Sequence, residues 1–295
     1  MQLLAQQLVN GIALGSIYAL FAVGFALILA KMGILNVAHG TFATWGALAS
    51  YYLVTERGLS FWVALALGVL LAGALGVAAD QLAFEPLRRR GAGVFAPIIA
   101  SIGIWIVLLT LAEAHAGPTA VSYPAESVPA EPFRFLGLIM LPAQVISVLA
   151  LVVVVTGVHL LLTRTRFGSA IRAVAVDPRS ATIVGVNARR TLIAVAFLAA
   201  AIAGLAGILG ALSDNNVSAT IGEGLLLKGF AAVVVGGYGD IRGAALVGVV
   251  IGVLEVMSSQ YISSGFRDAI TFGVLLVVLV ARPQGVFGER QLVRA

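Results

Sequence analysis

Seven runs of largely apolar residues, each about as long as a bilayer is thick, follow one another along this chain: Gln7–Ala30, Ser60–Ala83, Val94–Glu113, Ala143–Thr163, Thr191–Leu212, Ala244–Gln260 and Gly265–Ala281. A helix rising ~1.5 Å per residue needs about 20 such residues to cross ~30 Å of hydrocarbon. Two further runs, Ile34–Leu53 and Thr220–Gly236, are apolar but rich in glycine and polar near one end, as expected of spans, broken helices or re-entrant elements. The expected fold is therefore all-α: a polytopic transmembrane helical bundle of about eight to nine spans, counting the interrupted segments. Composition agrees. Only 11% of the 295 residues are charged and 60% are hydrophobic, with a mean hydropathy of +1.06. A soluble surface of this size needs roughly a quarter of its residues charged.

The charges that remain set the orientation. Arg88, Arg89 and Arg90 form one basic loop; Arg164–Arg190 holds six arginines against the single acid Asp177; the tail carries Arg282, Arg290 and Arg294. The stretch Ala114–Pro142 instead holds Glu126 and Glu131 with only Arg134. By the positive-inside bias the basic segments face the cytoplasm and the acidic loop faces out, which puts the N-terminus outside and the C-terminus inside. Pro118, Pro124, Pro129, Pro132 and Pro142 forbid a regular helix in the external loop, leaving an extended docking lip or a plain connector. The basic balance, with a pI near 10.0, thus reads as membrane topology, and nucleic acid is not expected as a partner. The first apolar run lacks a basic lead-in and is too long for a signal peptide, so it is expected to be kept as a span.

Much chemistry is excluded. The chain has no cysteine, so thiolate metal sites and cysteine nucleophiles cannot occur, and His39, His115 and His159 are too scattered for a metal cluster. Its only lysines, Lys31 and Lys228, lack the glycine-rich lead-in of a phosphate loop. No Ser/His/Asp constellation or carboxylate dyad is apparent. The chain is not expected to be an enzyme, or to need a cofactor.

Two stretches share a plan. Gly11–Ala30 leads through a short turn to Asn36-Val37-Ala38-His39-Gly40 and a second apolar segment; Ala199–Leu212 leads to Asn215-Asn216-Val217, Gly222-Glu223-Gly224 and Leu225–Gly236. On the topology above they begin on opposite sides, as an inverted repeat would, and broken helices in matching places point to a transport pathway. Asn36, His39, Asn215 and Asn216 are therefore candidates to line a path or gate; the alternative is a capping asparagine and a buried, hydrogen-bonded histidine. Lys228 and Glu255 lie at membrane depth, where an unpaired charge costs on the order of 3 kcal/mol, so an ion pair between neighbouring helices is the first expectation and contact with cargo the second. Asp80 and Glu113, near span ends, can reach the interface. Gly11/Gly15, Gly68/Ala72/Gly76 and Gly248/Gly252 place small residues on single helix faces and imply close packing in a bundle or a dimer.

Between the fourth and fifth clear spans, Arg166–Val176 reads as a short helix, Asp177-Pro178 as an N-cap with proline at the first helical position, and Gly185 as the residue after a helix end. Such a pair could seat in a groove on a cytoplasmic partner or lie on anionic lipid.

Several of these runs resemble the LivH-type permeases of branched-chain amino-acid importers: Asn10-Gly11 through Leu20 with Ile34–Gly40; Arg166–Ala173 through Asp177 to Val184-Gly185-Val186-Asn187; Lys228-Gly229-Phe230 with Gly236–Ala244; and Arg282-Pro283-Gln284-Gly285-Val286-Phe287-Gly288. The resemblance is ordered along nearly the whole chain, and the external proline-rich loop falls outside it. It implies one permease domain over residues 1–295 in a bacterial inner membrane, with 164–190 as a cytoplasmic coupling segment in which Arg166, Gly168, Arg172, Asp177 and Gly185 act, and 114–142 as the external loop. It also implies partners: two cytoplasmic ATPase subunits, a second homologous permease (a heterodimer, or a homodimer) and a periplasmic substrate-binding protein. ATP would be hydrolysed on those partners and the cargo moved by alternating access. The wider family also takes up urea, amides and aromatic amino acids. A secondary transporter driven by an ion gradient, with Glu255, Lys228 or Asp80 as a relay, is the competing expectation.

Overall fold

The computed structural model describes residues 2–93, 95–117, 119–128, 131–135 and 137–287. Earlier readings at Val94, Pro118, Pro129, Gly288, Arg290 and Arg294 lie outside the described residues. Among the described residues, twelve α-helices follow in order: α1 (Gln2–Met32), α2 (His39–Thr55), α3 (Phe61–Ala79), α4 (Glu85–Arg89), α5 (Phe95–Ala116), α6 (Pro142–Arg164), α7 (Arg166–Val176), α8 (Pro178–Ile183), α9 (Ala188–Asp214), α10 (Ile221–Gly236), α11 (Ile241–Tyr261) and α12 (Arg267–Ala281). Among the described residues, seven stretches are long and apolar enough to cross a membrane. The chain is a multi-pass helical membrane protein.

Two details sharpen the expectation. The runs from Ile34 and Thr220 are not broken internally: α2 and α10 are continuous helices of 17 and 16 residues, and the break precedes each of them. Within the loop 114–142, part of the expected extended chain is paired: β1 (Phe133–Phe135) and β2 (Leu138–Met140) run antiparallel around Gly137, whose φ of +79° allows the tight turn.

Glycine seams set the helix neighbours. In lipid the hydrophobic effect does not drive helices together, so backbone approach at small residues supplies the packing energy. Gly11 and Gly15 of α1 mesh with Val249, Gly252 and Val253 of α11; a Cβ at Gly252 would strike the Gly15 backbone, and one at Gly248 would strike Ala19. Two of the seams legible in the sequence are therefore the halves of one interface within the chain. Gly68, Ala72 and Gly76 of α3 lie against Ile208, Gly204 and Ala200 of α9, and Gly207 of α9 lies against Ala43 of α2.

This pattern repeats with reversed polarity. Units α1–α2–α3 and α9–α10–α11 exchange partners, so that α1 packs on α11 and α9 on α3, while α1 packs on α9 and α2 on α10. Gly24 lies near Ala199 and Ile202 whereas Gly210 lies near Ile17, so α1 and α9 run antiparallel. The two ends of the bundle differ in charge. Arg189 reaches Gln81 at 2.8 Å, gathering the arginine-rich segments at one end. Asn215 meets Tyr123 at the other, beside the acidic loop.

Candidate translocation core and cytoplasmic segment

Each repeat unit breaks in the same way. α1 stops at Met32 and the next residue, Gly33, takes φ +65°; α9 stops at Asp214 and Asn215 takes φ +45°. Six residues then carry the chain back before the next helix starts, at His39 or Ile221. The return is deep. His39 lies against Phe21 and Phe25, with ring centroids 5.0 and 5.5 Å away, and those residues sit about 10–16 Å along the axis from the end of α1. In the other unit the Gly222 N–H donates to Thr44 Oγ1 at 3.1 Å, and Gly222 packs on Gly40. The N-terminal turns of α2 and α10 thus cross antiparallel inside the bundle, at a pair of glycines whose carbonyls leave no room for a side chain on either.

The first return loop is well satisfied. The buried Asn36 side chain accepts from the Ala38 N–H at 3.1 Å, and Ser101 Oγ of α5 accepts from the Val37 N–H at 3.1 Å. His39 is different. It is wholly buried among Phe21, Phe25 and Phe42, and among the described residues neither ring nitrogen has a hydrogen-bond partner. Of the two readings given for His39, burial is met but the hydrogen bond is not: three aromatic neighbours offer the ring edges and faces but no acceptor. Asn215 and Asn216 match this loop in sequence position but not in setting. Both are exposed. Asn215 Oδ1 accepts from the Tyr123 N–H at 3.0 Å, its carbonyl accepts from the Ser122 hydroxyl at 2.8 Å, and Val121 and Val217 form a backbone bridge. Asn215, with the Val217 bridge, holds the loop 114–142 onto the second break, and the Asn216 N–H donates to the Ala211 carbonyl at 3.0 Å. Sequence reading placed Gly40 and Gly222 in the two matching runs but not against each other, and it missed Thr44; the signal was a glycine one residue into each helix after a break.

Lys228 of α10 and Glu255 of α11 meet at 2.7 Å, with Glu255 only 1% exposed. Three further groups join them. The Lys228 ammonium donates to the Tyr18 hydroxyl at 2.9 Å and lies 3.4 Å from Asp268, while Arg267 Nε lies 3.3 Å from Glu255. Tyr18, Arg267 and Asp268 were not singled out from sequence because nothing local ties them to Lys228. Beside this cluster is a cavity of about 160 Å³ bounded by Tyr18, Asp214, Gly224, Lys228 and Arg267. A larger apolar cavity of about 470 Å³ lies on the other side of α10, between Phe25, Leu35, Val37, Trp105, Leu226 and Phe230.

At the arginine-rich end, α7 starts on Thr165, whose Oγ1 accepts from the Gly168 N–H at 2.9 Å, and Gly168 packs on the carbonyls of Leu161 and Leu162. Ile171 and Val174 are buried, whereas Arg166 and Arg172 are exposed, Arg172 bonding Ser169 at 3.0 Å. Asp177 caps α8 by accepting from the Arg179 and Ser180 N–H groups at 3.0 and 3.1 Å. The Ser180 hydroxyl, followed by these backbone donors, holds its carboxyl below the usual aspartate range. Gly185, at φ +86°, ends the pair. Val176, Ile183 and Val184 project as an exposed apolar tip between arginines. The remaining motif runs come together as well: the Val286 and Phe287 N–H groups donate to the Val235 and Gly236 carbonyls at 2.7 and 3.1 Å, strapping the tail across the end of α10.

Comparison with known proteins completes the description. The family described as branched-chain amino acid transport system / permease component matches residues 7–279. The chain is 30% identical over 301 residues to the high-affinity branched-chain amino acid transport system permease protein BraD of Pseudomonas aeruginosa, covering 97% of this chain and 96% of that protein. It is 29% identical over 304 residues to the permease protein LivH of Escherichia coli, with the same coverage of each, and 27% identical over 294 residues to the permease protein LivM of the same organism, covering 92% of this chain and 67% of LivM. No solved structure matches. With two inverted units crossing at Gly40 and Gly222 and a match along nearly its whole length, the chain belongs to the family of permease components of branched-chain amino acid transport systems.

Proposed function

We propose that this chain is the membrane-spanning permease subunit of an ATP-driven importer that moves branched-chain and other hydrophobic amino acids across a bacterial inner membrane. The observation that carries this reading is the antiparallel crossing of α2 and α10 in a member of that permease family. Such a crossing can be pushed open from either end by rocking one unit against the other, which is what alternating access requires. The apolar cavity beside α10 suits aliphatic side chains.

The energy enters from partners. Of two ATPase subunits in the complex, one docks on residues 164–190 of this chain, gripping the apolar tip of Val176, Ile183 and Val184, while Arg166, Gly168, Arg172, Asp177 and Gly185 keep α7 and α8 rigid enough to transmit the push. Capping matters here because helices this short have little stability of their own. A second, homologous permease completes the membrane pair as a heterodimer, in keeping with the likeness to both LivH and LivM. A periplasmic binding protein delivers cargo to the external face around the loop 114–142.

The test is uptake of labelled leucine into proteoliposomes carrying the assembled complex. Uptake requires ATP inside and continues when proton and sodium gradients are collapsed. Uptake by this chain alone, or uptake that stops on gradient collapse with ATP present, overturns the reading and favours an ion-driven carrier working through the Lys228–Glu255 cluster.

A further inference from the structure

Arg89, Arg90 and Arg189 converge on a cavity of about 320 Å³ at the arginine-rich end, completed by Gln81, Glu85 and Pro86. The charges around it do not balance. Asp80, wholly buried, holds Arg88 at 2.8 Å, and Glu85 holds Arg88 and Arg89 at 2.9 and 2.8 Å. Among the described residues, Arg189 donates only to the neutral Gln81 amide oxygen, at 2.8 and 3.3 Å. Among the described residues Arg90 has no carboxylate partner. Two positive charges therefore face the cavity unopposed.

The surroundings say what could oppose them. α3 ends in a π-helical turn, Asp80–Phe84, which carries Leu82 outward to 81% exposure; Phe95, at the start of α5, is 77% exposed. Apolar side chains this bare, on the flank of a spanning helix, lie at acyl-chain level, so the adjoining guanidiniums lie at headgroup level. The cytoplasmic leaflet is anionic, and basic pockets between helices on that side accept lipid headgroups. A guanidinium fork also matches a phosphate geometrically.

We propose that the cavity of Arg89, Arg90 and Arg189 binds the phosphodiester headgroup of one anionic phospholipid, with its acyl chains lying along Leu82 and Phe95. A lipid here ties the α4 turn to the first turn of α9, at the end of the segment 164–190, and so steadies the base on which α7 and α8 move.

The test is native mass spectrometry of the full chain purified in detergent, titrated with phosphatidylglycerol or phosphatidylcholine. Wild type retains one phosphatidylglycerol per chain with a preference of roughly tenfold or more over phosphatidylcholine. The preference collapses in Arg90→Gln/Arg189→Gln and falls part-way in Arg90→Gln, a change at an exposed side chain without an internal ion pair, so its fold is kept. Equal retention by wild type and both variants overturns the proposal. Displacement of the lipid by millimolar inorganic phosphate assigns the site to free phosphate and overturns it as well. So does loss of co-purifying ATPase subunits from the variant complex in the absence of anionic lipid, which would make the cavity a protein contact.

Discussion

Gly40 and Gly222 sit face to face where α2 and α10 cross, each too close to the other's carbonyl to admit even a methyl group. The Gly222 N–H also donates to Thr44, one turn further along α2, so the crossing is held by a hydrogen bond as well as by shape. Two helix starts meet there, and each presents free N–H groups that need partners within the protein when lipid surrounds it.

Enlarging either glycine should therefore spoil transport. Gly222→Val forces the α2–α10 crossing apart and is expected to abolish most leucine uptake in the reconstituted complex. Gly157→Ala, on α6 with no atom within reach of the added methyl, serves as the control and retains uptake. Full activity of Gly222→Val would remove the crossing from the transport cycle.

The buried charge cluster makes a double-mutant prediction. Lys228→Met leaves Glu255 with only the half-exposed Arg267 as counter-charge and costs up to about 3–5 kcal/mol of stability, the cost of fully orphaning a buried charge. Lys228→Met/Glu255→Leu recovers most of that loss. Thermal unfolding in detergent reads both. A double variant no more stable than the single one would mean that Arg267 and Asp268 dominate the cluster.

His39 predicts the opposite sign. An imidazole sealed among three phenyl rings without a polar partner gains nothing from its nitrogens, and an unmet buried polar group costs about 1–3 kcal/mol. His39→Leu is expected to raise the detergent melting temperature. A fall would show that the ring is hydrogen-bonded after all.

For the segment 164–190, Asp177→Ala removes the α8 cap, so trypsin should cleave faster after Arg179 while the complex still assembles. ATP hydrolysis stimulated by the binding protein should fall. Ile183→Glu, on the exposed tip, should lower the same stimulation without changing cleavage. The Asp177 carboxyl titrates below its ordinary value of 3.8, so its capping contribution is complete above that value and is lost only as pH falls through the lowered one. Capping should then be constant between pH 5 and 8, and protease sensitivity at Arg179 should rise only in acid.

Sidedness can be read directly, because the chain has no native cysteine. Ser180→Cys should react with an impermeant maleimide only from the cytoplasmic side, and Ser122→Cys only from outside. The reverse pattern would overturn the orientation and the coupling scheme together.

The amino-acid order alone determined the spanning helices, the contrast between a basic and an acidic end, and the two short helices on Thr165 and Asp177. Each rests on a local cause: a run of apolar side chains, a loop charge, or a side chain capping N–H groups two or three residues on. The seams Gly11/Gly15 and Gly248/Gly252 were legible as seams, but not as two halves of one interface. The meeting of Gly40 with Gly222, the isolation of His39 and the recruitment of Tyr18, Arg267 and Asp268 to Lys228 were left to tertiary structure. Helices apolar on every side carry no stripe to say which neighbour they face. Only the packed bundle decides that, through backbone approach at glycines and the need to pair each buried charge.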